Sequence, residues 1–162
     1  MTPAAGAPIY RLLDTKGRVH QASEGAGQVK VFIVTSSGCP IASRYRPQLD
    51  RLQREYPNVL FLAVTPGGLA PAAQEFPVLL DPQFVLARQL GASMTPEAFV
   101  FDEGGRLRYQ GRIDDKFVDF GKARAQPTRE DLRVAIEEVR AGRAVSLKRQ
   151  RGVGCFIEYG AR

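Results

Sequence analysis

Val29-Lys30-Val31-Phe32-Ile33-Val34-Thr35 runs into Ser36-Ser37-Gly38-Cys39-Pro40-Ile41-Ala42, and this junction decides the fold. The first seven residues are a nearly continuous β-branched and aromatic run, the pattern of a strand buried on both faces in a parallel sheet. Ser-Ser-Gly breaks the strand, and Pro40 suits the first turn of a helix because its missing N–H would be unpaired there. From Ile41 onward, Ile41, Tyr45, Leu49, Leu52 and Tyr56 recur at three- and four-residue intervals, which predicts one amphipathic helix ended by Pro57-Asn58. Pro47 lies inside it and is expected to kink it.

Elements on either side of the junction follow the same logic. Ile9-Tyr10-Arg11-Leu12-Leu13 and Arg18-Val19-His20, separated by Asp14-Thr15-Lys16-Gly17, read as an N-terminal β-hairpin. Val59-Leu60-Phe61-Leu62-Ala63-Val64 is a second buried strand, followed by a Pro/Gly/Ala loop through Ala73 and a short extended segment at Phe76-Pro77-Val78-Leu79-Leu80. Asp81 is expected to cap a helix that begins with Pro82 and stops at Gly91. Ala98-Phe99-Val100-Phe101 and Leu107-Arg108-Tyr109-Gln110 flank a Gly-containing turn and predict a second hairpin. Thr128, with Asp131 three residues on, is expected to open a last helix with the face Leu132, Ala135, Ile136 and Val139, closed by Gly142. The order predicts an α/β fold with a mixed central sheet flanked by helices.

The 162 residues suit one domain, with 44% hydrophobic and 25% charged residues giving ordinary globular composition. Residues 1–8 read as a flexible lead-in, 9–145 as the domain, and 146–162 as a basic, Cys-containing tail packing on or near it. No apolar run reaches membrane-spanning length. The net charge of +6 arises from 23 basic against 17 acidic residues. The excess gathers at Arg140, Arg143, Lys148, Arg149 and Arg151. Without a recognisable motif or stacking aromatics this cluster argues against nucleic acid and reads as solvated surface. Electrostatic help to a nearby thiol or an acidic partner is the alternative.

Cys39 is placed where open α/β sheets gather their chemistry, beyond the carboxyl end of a central strand. A helix N-terminus stabilises negative charge, and cysteines there have lowered pKa values. Gly38 allows close approach of a substrate backbone, and Arg44 and Arg46 are candidates to add positive potential. A buried structural cysteine is the competing reading, but a Ser-Ser-Gly-Cys-Pro break is a poor place for one.

With these residues in view, the chain resembles the thioredoxin-like redoxins, a group spanning thioredoxins, periplasmic thiol–disulfide oxidoreductases and peroxiredoxins. The resemblance runs from about Ile9 to Ile157. It rests on Ser37-Gly38-Cys39-Pro40, on Thr95-Pro96 before Phe99-Val100-Phe101-Asp102, and on Tyr109-Gln110-Gly111-Arg112-Ile113-Asp114. It implies a thioredoxin-like fold, a redox-active Cys39, and a cis-proline at Pro96 that, with Thr95, receives substrate backbone; an ordinary Thr-Pro turn is the other reading. Ala42 stands where a Cys-X-X-Cys motif has its second cysteine. Peroxiredoxins carry a Thr or Ser that Ser36 matches, but also a proline where this chain has Phe32 and an arginine where it has Pro96. Disulfide exchange is therefore expected ahead of a thiol peroxidase, and a non-catalytic binding module is the alternative of another class.

The resemblance also implies that Cys155, in Gly152-Val153-Gly154-Cys155-Phe156-Ile157, resolves Cys39, with flexible glycines letting the tail dock and release and the basic cluster favouring its thiolate. A tail residue packed with Phe156 and Ile157 is the alternative. The expected partners are a protein or small-molecule disulfide or thiol and an external thiol reductant. No cofactor or metal is expected, since the single histidine, His20, reads as an exposed hairpin residue. The resemblance points to an extracytoplasmic location.

Overall fold

The structure, a computed structural model, describes residues 6–67 and 74–160. Residues 1–5 of the expected lead-in, 68–73 of the Pro/Gly/Ala loop and 161–162 of the tail lie outside the described residues. In chain order the elements are β1 (Arg11–Leu13), β2 (Val19–Gln21), β3 (Lys30–Val34), α1 (Pro40–Glu55), β4 (Leu60–Pro66) and β5 (Val78–Asp81). They continue with α2 (Val85–Leu90), β6 (Met94–Thr95), β7 (Glu97–Phe101), β8 (Leu107–Gly111), β9 (Phe117–Asp119), β10 (Lys122–Ala123), α3 (Asp131–Arg140), β11 (Arg149–Gln150) and β12 (Cys155–Phe156).

The central sheet has six strands in the order β11-β8-β7-β3-β4-β5. β3, β4 and β5 run parallel, while β7 is antiparallel to both β3 and β8, so the sheet is mixed. Alternation along each strand explains why these segments read as unbroken apolar runs. Val31 and Ile33, Phe61 and Ala63, and Ala98 and Val100 face one layer with the buried face of α1 and with Leu132, Ile136 and Val139 of α3. Phe32 and Val34, Leu62 and Val64, and Phe99 and Phe101 face the other, with Tyr10, Leu86 and Leu90. Each such Leu, Ile, Val or Phe contributes about 1.5–3 kcal/mol relative to leaving it exposed. No helix among the described residues is long and apolar enough to cross a membrane.

α1 runs from Pro40 to Glu55 with Pro47 inside it. Two local expectations change. α2 starts at Val85, not Pro82, because a turn from Asp81 to Phe84 delays it. Asp81 instead ends β5, and its carboxylate accepts the Ala87 N–H at 2.8 Å, serving a free N–H of the first turn from outside the cap position. Thr128 does not cap α3; its N–H and hydroxyl are both given to the Asp115 carboxylate, and Glu130 stands at the helix start. The Gly111-to-Asp114 segment pins two helices. Arg112 Nε donates to buried Asp131 at 2.7 Å, and Asp114 accepts from Tyr45 Oη of α1 at 2.6 Å.

His20 is buried, contrary to expectation. Its ring nitrogens lie 2.8 Å from Asp14 Oδ2 and 2.7 Å from Glu24 Oε2, tying the hairpin to the loop that follows it. Burial disfavours the imidazolium, but the hydrogen bonds and charges of the two carboxylates outweigh it and raise the His20 pKa.

Candidate active site

β3 delivers the chain to the carboxyl edge of the sheet, and Cys39 is the residue from which α1 departs. Ser36 Oγ accepts the Gly38 N–H at 3.1 Å, which turns the chain between strand and helix. Cys39 itself is only 1% exposed. Facing it is Thr95, and the Thr95–Pro96 peptide is cis. The Cys39 thiol donates to the Thr95 carbonyl at 3.3 Å.

The tail brings in the second thiol. β12 lies antiparallel to β6, with Cys155 opposite Thr95 and Phe156 opposite Met94. Cys155 and Cys39 are both free thiols, they line the same cleft, and each shifts the acidity of the other. Their acidities are driven apart. Burial works against a Cys39 thiolate, but hydrogen bonds from the side chains of Cys155 and Thr95 and from the N–H groups of Ala42 and Cys155 outweigh it, so its pKa falls below the ordinary thiol value. Burial, then the hydrogen bond and charge of Cys39, push Cys155 up to about 11.

Two glycines, Gly154 in the tail and Gly111 at the end of β8, allow the tail to approach the domain closely. A Cβ on Gly154 would stand 2.1 Å from the Thr95 carbonyl oxygen, and one on Gly111 would stand 2.0 Å from that of Gln150. Only glycine permits either approach. A cleft of about 350 Å³ opens beside the two sulfurs, lined by Ser36, Gly38, Cys39, Phe84, Cys155 and Glu158. A larger cavity of about 480 Å³, between Glu97, Gln110, Arg149 and Phe156, includes neither cysteine.

No family model matches the sequence, and no curated protein does. Solved structures do match. A hypothetical protein of Sinorhizobium meliloti is 24% identical with a TM-score of 0.85, covering 100% of this chain and 97% of that one. An uncharacterised conserved protein of Geobacillus kaustophilus is 23% identical with a TM-score of 0.84, covering 100% and 95%. A candidate thiol:disulfide interchange protein DsbE of Chlorobium tepidum is 24% identical with a TM-score of 0.60, covering 67% and 85%. The fold is thioredoxin-like.

Within this thioredoxin-like frame Ser36, Gly38, Cys39, Thr95 and Cys155 all line one cleft. Pro40 follows as the first residue of α1, and Pro96 follows Thr95 in the strand connection. Two further residues shape the site without having stood out in the sequence. Glu97, 6% exposed, accepts the N–H groups of Ser93 at 2.8 Å and Met94 at 3.4 Å, and Gln110 Nε2 at 3.2 Å, fixing β6 from behind. Phe84 has φ 61°, uncommon for a bulky residue, and its ring lies 5.3 Å from that of Tyr159. An acid set between Pro96 and the apolar run Ala98-Phe99-Val100-Phe101 is the local signal for Glu97; nothing local marks Phe84.

Proposed function

We propose that the protein is a thiol–disulfide oxidoreductase in which Cys39 is the nucleophile and Cys155 the resolving thiol. The observation that carries this reading is that two free thiols share one cleft at the start of α1, the Cys39 thiol donating to the Thr95 carbonyl at 3.3 Å and Cys155 standing opposite Thr95 in the β12–β6 ladder. The Cys39 thiolate attacks one sulfur of a substrate disulfide, forming a Cys39–substrate disulfide and releasing the other half as a thiolate that takes up a proton. Cys155 then loses its proton and attacks the Cys39 sulfur, expelling the second substrate thiolate and leaving a Cys39–Cys155 disulfide. The substrate gains two electrons and the protein loses them. An external dithiol reverses the loss.

The acidities suit this order. Part of what raises Cys155 is the hydrogen bond and charge of Cys39. Both influences end when Cys39 is bound in the mixed disulfide, so Cys155 ionises more readily at the step that needs it. Thr95 forms one wall for the substrate, held in place by the cis peptide to Pro96, with Ser36, Gly38 and Pro40 holding Cys39 at the helix start. The similarly folded Chlorobium tepidum protein is described in terms of the same chemistry. The location outside the cytoplasm implied by the redoxin resemblance belongs to this proposal.

Counting free thiols after treatment with oxidised glutathione tests the reading. Wild type should lose both thiols to an intramolecular bridge, Cys155→Ser should trap glutathione on Cys39, and Cys39→Ser should stay unreacted near neutral pH. Retention of both thiols in the wild type would sink it. Peroxide consumption through Cys39 that outruns its reaction with glutathione would put the peroxidase first.

A further inference from the structure

Resting on that reading of Cys39, we infer that the protein in its tail-docked form takes low-molecular-weight disulfides and excludes polypeptide disulfides, because β12 occupies the strand edge along which a polypeptide would lie. The N–H and C=O groups of an unpaired strand edge are what recruit an extended peptide. Here that edge is already used. β12 pairs with β6 in register, and the Ile157 N–H continues the pairing to the Ser93 carbonyl at 3.0 Å. Cys155 thus holds the place opposite Thr95 that a cysteine of a bound peptide would need.

The tail is fastened on both sides of Cys155. Upstream, β11 adds to β8, and the Arg112 N–H donates to the Gln150 carbonyl at 2.9 Å. Downstream, Tyr159 Oη donates to the Ala92 carbonyl at 2.5 Å, and the Arg88 guanidinium lies 4.6 Å from the centre of the Tyr159 ring. Between them, Gly154 sits against Thr95 with no room for a side chain. What remains open is the cleft of about 350 Å³ beside Cys39. That is the lower end of the range for small-molecule pockets, which run from roughly 300 to 1,000 Å³. A compact disulfide RSSR reaches the Cys39 sulfur through it, forming Cys39–S–S–R and releasing RSH.

The test isolates this first step in Cys155→Ser, where the mixed disulfide accumulates and is weighed by mass spectrometry. Oxidised glutathione and insulin serve as the small and polypeptide disulfides. The same rates are measured in Cys155→Ser combined with Gly154→Val, which drives the tail from β6, and combined with Tyr159→Ala, a milder release. Hydrogen exchange at residues 155–157, against unchanged exchange in β3 and β4, confirms tail release in a folded protein. The expected result is slow insulin attack with the tail docked and an acceleration of about tenfold or more on release, with glutathione changing far less. Equal insulin rates with the tail docked and released overturn the inference but leave Cys39 as the nucleophile. Failure of Cys39 to react with either disulfide overturns both.

Discussion

Gly154 and Thr95 meet so closely that the Cα of one admits no side chain against the carbonyl oxygen of the other, at 2.1 Å for an added Cβ. The neighbouring pair in the ladder is Cys155 and Thr95. The contact therefore sets where the second sulfur stands, and a backbone oxygen, unlike the end of a flexible side chain, does not yield cheaply.

Gly154→Ala should weaken tail docking by about 1–3 kcal/mol, the usual cost of forcing an extra methyl into a packed site. The bridged form should lose stability against the reduced form by a similar amount, because Cys155 no longer waits beside Cys39. Equilibration in glutathione redox buffers, with the bridged fraction read by mass spectrometry, measures the shift. A fraction unchanged from the wild type would show that Gly154 does not position Cys155.

Cys39 should titrate below an ordinary thiol in the wild type and climb in Cys155→Ala. Its burial, which favours the neutral form, persists in that variant, while one hydrogen bond that offsets it is lost. The reciprocal holds for Cys155. Its pKa of about 11 should fall in Cys39→Ala, which removes the hydrogen bond and charge of Cys39 and leaves only burial. The pH dependence of alkylation by iodoacetamide reads both. Superimposable profiles in wild type and variants would mean the thiols do not interact.

The strands and the placement of Cys39 were legible because both depend on local pattern. The runs at 29–35 and 59–64 are apolar on both faces, and the structure buries both faces. Capping failed where the partner was distant in sequence. Asp81 and Thr128 are ordinary cap residues, but one serves α2 from the end of a strand and the other is drawn off by Asp115. His20 failed for the same reason, since its burial depends on two acids brought over it by the hairpin fold. β11 and β12 are two residues each, too short for any periodicity. The glycines around them read as flexible, whereas Gly154 marks close approach.

Glu97 should hold β6 in place through its acceptors, not through its charge alone. Glu97→Gln turns one oxygen into an amide donor that faces the Gln110 amide, now 3.2 Å away as a donor, leaving a buried group unsatisfied. The cost should be about 1–3 kcal/mol. The exchange Glu97→Gln with Gln110→Glu restores one donor and one acceptor and should recover most of it. Urea unfolding of wild type and the two variants checks this, and a double variant as weak as the single would reject the pairing.

His20 should make the N-terminal hairpin sensitive to pH near neutrality. Its folded pKa is raised above the ordinary value of 6.5, chiefly through the hydrogen bonds to Asp14 and Glu24 that overcome burial. A raised pKa means that its stabilisation is complete below pH 6.5 and is lost as pH rises through the folded value. A neutral imidazole donates to one carboxylate and leaves the other facing a lone pair. Asp14 has the opposite sign. Burial opposes its ionisation, but hydrogen bonds from His20 and from the Arg18 and Lys16 N–H groups lower it below 3.8, so its contribution is present above that value and fades as pH falls through the folded one. The clamp is strongest between these limits. The stability difference between wild type and His20→Phe, followed by urea unfolding across pH, should therefore peak between about pH 4 and pH 6.5 and shrink on either side. A difference flat across that range would mean the imidazolium is not what holds the hairpin.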